Sequence, residues 1–88
     1  MALLVKVDGT HEDIEVPATG SLEFLQKTVG GYIEMAPCHA ADYAGVICDE
    51  EGKLKSKPIN KTATLLAGLY PDDVLVGDVI FFKDGEVD

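Results

Sequence analysis

The stretch LLVKVDGTHEDIEV, Leu3 to Val16, alternates apolar and polar residues on both sides of Asp8-Gly9. That dipeptide supplies the positive φ angles of a tight hairpin turn, so the pattern predicts two antiparallel strands over 3–7 and 10–16. A sheet that begins this way has an apolar face to bury, and the rest of the chain must cover it.

Working outward, Pro17 offers no backbone N–H and ends the second strand, and Ser21, after Gly20, is placed to cap a helix over 21–29. Leu22, Leu25 and Val29 recur at helical spacing as its buried stripe, and Gly30-Gly31 ends it. YIEMAP (32–37) and YAGVICDEEGKL (43–54) read as two further strands, the second running into the turn residues DEEGK. A second helix is expected over 61–69, capped by Asn60, with Ala63, Leu66, Ala67 and Tyr70 on one face and Pro71 as its stop. DVIFFK (78–83) is the last strand, after a turn or bulge at Gly77-Asp78. The order is ββαββαβ, with a β-grasp-like start. It predicts one small two-layer α+β domain over residues 1–88, since a chain of 88 residues holds a single core. The polar tail KDGEVD is expected to fray. Val79, Ile80, Phe81 and Phe82 in succession would leave one apolar face of the last strand pointing away from the domain's own core, which leads to the expectation of a homo-oligomer.

The chain carries 16 acidic and 7 basic residues, a net charge of −9, which repels nucleic acid and anionic lipid and favours a basic or neutral partner. No apolar run approaches the length of a membrane span, and MALLVKV meets a lysine too early for a signal-peptide core, so a cytoplasmic protein is expected. Cys38 and Cys48 read as free thiols, and their spacing with His39 matches no zinc site. His11 sits among Glu12 and Asp13 beside a turn, and His39 has no nucleophile at a recognisable spacing. With no phosphate loop of the Walker type either, the expectation is a protein that is not an enzyme and uses no cofactor.

The few positive charges are concentrated: Lys53, Lys55, Lys57 and Lys61 fall within nine positions, and none of the seven basic residues is an arginine. Asn60, Lys61 and Thr64 lie at a helix start whose free N–H groups attract anions, and Lys57 lies beside them. Together they form a candidate site for a phosphate or another anionic group. The competing reading is that Asn60 only caps, Thr64 bonds its own turn and the lysines are solvated. Gly30 and Gly31 either terminate the helix or let a ligand approach the backbone closely. Tyr32 would stack on a flat base or, as strand position favours, pack in the core.

The runs VGGYIEMAP (29–37), PINKTAT (58–64) and VGDVIF (76–81) resemble a family of small domains of unknown function encoded by bacteriophages and mobile elements of Gram-positive bacteria. The resemblance covers nearly the whole chain. It implies a fold and a genomic setting rather than an activity, and by analogy with other small phage accessory proteins the expectation is a role against host defence in an infected bacterial cell. The first expectation is a sponge that sequesters a nucleotide-derived immune signal, at sites between the subunits of an oligomer. The alternative is an acidic interaction module that occupies a host protein, possibly as a nucleic-acid mimic.

Overall fold

The computed structural model describes residues 2–83. Five strands and two helices follow one another as β1 (Ala2–Val5), β2 (His11–Ile14), α1 (Ser21–Val29), β3 (Ile33–Ala36), β4 (Gly45–Asp49), α2 (Lys61–Leu66) and β5 (Val79–Phe82). The ββαββαβ order and the small α+β architecture are those expected. The predicted tail falls outside the described residues apart from Lys83.

The hairpin forms where the alternation places it, but its strands are shorter than 3–7 and 10–16. The turn consumes the flanking residues: Gly9 has φ 90°, and its N–H donates to Lys6 O. The Lys6 N–H donates to Thr10 O, and Asp8 Oδ1 accepts from both the Thr10 N–H and hydroxyl. The sheet order is β2-β1-β5-β4-β3, with every neighbouring pair antiparallel. β5, last in sequence, sits at the centre and joins the β1–β2 hairpin to the β3–β4 pair.

Both faces of the sheet are covered. On one, Leu25 and Val29 of α1 pack with Ala2, Leu4, Ile47 and Ile80. On the other, Ala63, Ala67, Leu69 and Leu75 from α2 and the segment after it meet Val5, Val46, Val79 and Phe81. All four residues Val79–Phe82 are therefore buried by the chain itself, and β5 has no outward apolar face. This corrects the observation on which the expectation of an oligomer rested. Period 2 turns Val79 and Phe81 one way and Ile80 and Phe82 the other, and the chain supplies a lid for each.

Both helices differ in detail from expectation. At the start of α1 the cap position belongs to Gly20 (φ 74°), and Ser21, the first helical residue, makes no capping bond. Leu22 is 55% exposed, because the face that meets the sheet runs through Phe24, Leu25 and Val29. α2 stops at Leu66, before Pro71, because Gly68 takes the left-handed conformation (φ 73°) and its N–H donates to Leu65 O. The reversal sends Leu69 into the core and leaves Leu66 and Tyr70 exposed, so the buried face of α2 is Ala63, Thr64 and Ala67. The segment after β4 is a run of turns. Among the described residues no helix is long and apolar enough to cross a membrane.

Candidate functional site

The concentrated lysines meet a carboxylate that the sequence reading passed over. Asp49 ends β4 and is buried, with its side chain 1% exposed. Its Oδ2 lies 2.7 Å from Lys57 Nζ and 2.9 Å from Lys55 Nζ, and its Oδ1 accepts from the Glu51 N–H at 2.9 Å. Burial pushes the Asp49 carboxyl up, but the hydrogen bonds from Lys57, Lys55 and Glu51 outweigh it and hold the group at about 2. The same ammonium groups reach the carboxyl end of α1. Lys57 Nζ donates to Val29 O at 2.7 Å and Lys55 Nζ to Gly30 O at 3.3 Å, where cations complement the helix dipole. Lys53 pairs with Asp73 at 2.8 Å on the surface. Lys61 alone of the four has no ion pair among the described residues.

This knot explains the glycine pair. Gly30 takes φ 85°, and a Cβ there would stand 2.9 Å from Lys57 Nζ. A Cβ on Gly31 would stand 2.7 Å from both Asp49 Oδ1 and Lys55 Nζ. Helix termination needs a single glycine at Gly30. The second is required because the carboxylate and its lysine lie against the backbone.

Asn60 and Thr64 are inside the molecule, 0% and 3% exposed. Asn60 Oδ1 accepts the Ala63 N–H at 3.0 Å, while its Nδ2 donates to Val5 O and Gly77 O, both at 2.9 Å. One amide thus caps α2 and ties it to β1 and to the entry of β5. The Thr64 hydroxyl donates to Asn60 O at 2.8 Å and accepts the Leu75 N–H at 2.9 Å. These groups are spent on the fold, and α2 is six residues long. The expected anion site around Asn60 is therefore not assembled as one surface. Its surface-reaching residues divide among three places: Lys57 with Gly30, Tyr32 with Gly31, and Lys61 with Thr64 on α2.

Tyr32 is 67% exposed and not packed in the core as its strand position suggested, because it precedes β3 and lies beyond the cover of α1. It lines an open hollow of about 320 Å3 with Gln26, Gly31, Glu51 and Lys55. A second hollow, of about 370 Å3, is almost wholly apolar and is lined by Ile59, Lys61, Thr64, Leu65, Tyr70 and Val74. Leu65 and Tyr70 are 66% and 69% exposed there. Half of the signal for this groove was present in the sequence: Leu65 falls off the Ala63–Ala67 stripe, whereas Tyr70 follows that stripe and is turned outward by the reversal at Gly68.

With this geometry in place the whole chain, residues 1–88, matches a domain of unknown function, DUF3846. The chain belongs to the DUF3846 family. No curated protein and no solved structure matches it. The cysteines of this DUF3846 domain are both free thiols, and burial, with the charges of Glu34 and Asp49, pushes Cys48 up to about 11. A thiol so disposed is a poor nucleophile. Among the described residues no group of three His, Cys, Asp or Glu side chains is arranged to hold a metal.

Proposed function

We propose that this DUF3846 domain is a non-enzymatic interaction module that occupies a partner protein. In the phage and mobile-element setting that the resemblance implies, that partner is a host protein. The observation that carries the reading is the apolar groove of Ile59, Leu65, Tyr70 and Val74, set on a molecule of net charge −9. Contiguous exposed apolar side chains mark contact surfaces, and exposed aromatic residues are the usual anchors of such contacts. The net charge of −9 favours a partner with a basic surface and speeds the encounter, while Lys61 at the groove itself is the one charged residue of its lining.

A second reading, sequestration of a nucleotide-derived signal, rests on Tyr32. Its exposed ring beside Gly31 and Lys55 offers a stacking face with a cation nearby, although Lys55 is already engaged by Asp49.

One comparison tests both. Host lysate is passed over the immobilised parent and over Leu65→Glu and Tyr70→Ala variants, and the retained protein is purified and rebound at low and high salt. Separately, the parent is screened by thermal shift against cyclic dinucleotides and ADP-ribose derivatives. The proposal expects a protein held by the parent, lost by the groove variants and bound more weakly at high salt. A nucleotide that raises the parent's Tm by several degrees, but not that of Tyr32→Ala, overturns it in favour of sequestration.

A further inference from the structure

The two outer strands of the sheet are unlike. β2 carries Glu12 and Asp13, with Glu15 next to it, and such charge along an edge discourages pairing with another chain. β3 reads Ile-Glu-Met-Ala, and among the described residues it pairs only with β4. The Glu50 N–H donates to Tyr32 O at 2.8 Å, so Tyr32 and Glu50 form a hydrogen-bonded pair of the antiparallel ladder. Alternation along the ladder then gives Glu34 and Cys48 the same kind of pairing and turns the N–H and C=O groups of Ile33 and Met35 to the free edge. Beside that edge, over the Glu34–Cys48 pair, lies a hollow of about 330 Å3. Its acids are Glu34, Asp49, Glu50 and Asp73, of which Asp49 is already engaged by Lys55 and Lys57; its one cation is Lys53, held by Asp73, and Ala36, Pro37 and Leu54 supply apolar wall. Val74 lines both this hollow and the apolar groove, so the two surfaces are continuous.

We infer that β3 is the docking edge for an extended, basic segment of the partner protein. The segment pairs its backbone with Ile33 and Met35 as a sixth strand and places a lysine or arginine side chain in the acidic hollow. In this mode of recognition main-chain hydrogen bonds give affinity, and pockets that accept alternate side chains give specificity. The aliphatic stem of the incoming residue lies on Ala36 and Leu54, while its charge meets Glu34 and Glu50. Neighbouring side chains of the segment continue over Val74 toward the groove. This inference rests on the interaction reading and names the chemistry and conformation of its partner.

The test uses fluorescent nine-residue peptides of alternating threonine and valine with a central arginine, lysine or glutamate. Titration into the parent is expected to give saturable binding of the arginine and lysine peptides, at least tenfold tighter than the glutamate peptide. Hydrogen exchange at the Ile33 and Met35 amides should slow at least tenfold on binding. Met35→Pro removes an edge-facing N–H without breaking an internal ladder bond, and in folded protein it is expected to weaken the basic peptides at least tenfold. Glu34→Lys, an exposed change, should abolish the preference for the basic peptides. Absence of binding by every basic peptide, or binding indifferent to both variants, overturns the inference. If lysate capture still depends on Leu65 and Tyr70 in that event, the interaction reading survives and only the β3 docking falls. If groove-dependent capture fails as well, both fall.

Discussion

At the scale of single residues, the lysine-rich segment works as an internal counterweight to one buried acid. Asp49 is held below its ordinary value of 3.8 at about 2, so the sign of the linkage follows directly. The stabilisation is fully present above pH 3.8 and is lost as pH falls from there toward 2. Urea midpoints at pH 5, 3 and 2 should fall more steeply for the parent than for Asp49→Asn, whose titrating group is gone. Lys57→Met leaves the carboxylate with Lys55 and the Glu51 N–H and should cost about 2 kcal/mol at neutral pH, the size of one lost hydrogen bond to a charged group. Gly31→Ala is expected to cost about 1–3 kcal/mol by the same measurement, because the Asp49 carboxylate, fixed by three hydrogen bonds, has to shift. Asn60→Ala should cost about 3 kcal/mol, more than a lost cap, since Val5 O and Gly77 O also lose their buried donor. Equal stability of parent and variant in chemical denaturation would return Asn60 to the role of a plain cap.

At the scale of elements, α2 shows how far local pattern reaches. Six residues do not make a helix that stands by itself. α2 persists because Asn60 and Thr64 fasten its first turn to β1, to Gly77 and to Leu75. Thr64→Val keeps the shape and removes both hydroxyl bonds, and should lower stability by about 2 kcal/mol while speeding amide exchange through 61–66. Gly45 faces Phe82 across β4 and β5, and a Cβ there would stand 2.9 Å from Phe82 Cζ. Gly45→Val should therefore cost about 2 kcal/mol by displacing that ring. The elements themselves were legible, because hairpin alternation, the glycine pair and the β-branched run at 79–82 are short-range signals. Which side chains they bury was less so. Leu22 and Tyr70 follow helical spacing yet face water, since the orientation of α1 and the reversal at Gly68 are set by the sheet they pack against. The candidate site was misread for a related reason. The spacing of Lys55 and Lys57 announces a shared partner, but that partner is six and eight residues upstream, inside a strand whose other members, Gly45 to Cys48, are apolar.

At the scale of the whole molecule, the sheet is closed by long-range pairing: Leu3 meets Phe81 and Val5 meets Val79. Such topology folds in milliseconds to seconds, because chain closure precedes its reward. The β1–β2 and β3–β4 pairs touch in the sheet only through β5, so neither is expected to outlive the other. Ile80→Ala should cost about 3 kcal/mol and leave a single transition, with β2 and β3 amide signals vanishing at one urea midpoint. Survival of either hairpin past that midpoint would show two independent units. The register has a mechanical side as well. Ala2 at the start of β1 and Phe82 at the end of β5 lie at the same end of neighbouring strands, so tension between the two ends of the described chain loads one hydrogen bond at a time and peels the strands apart like a zipper. A domain strung this way resists heat through its whole core but yields to a small pull, and a processive unfolding machine gripping either end would meet its weakest direction first.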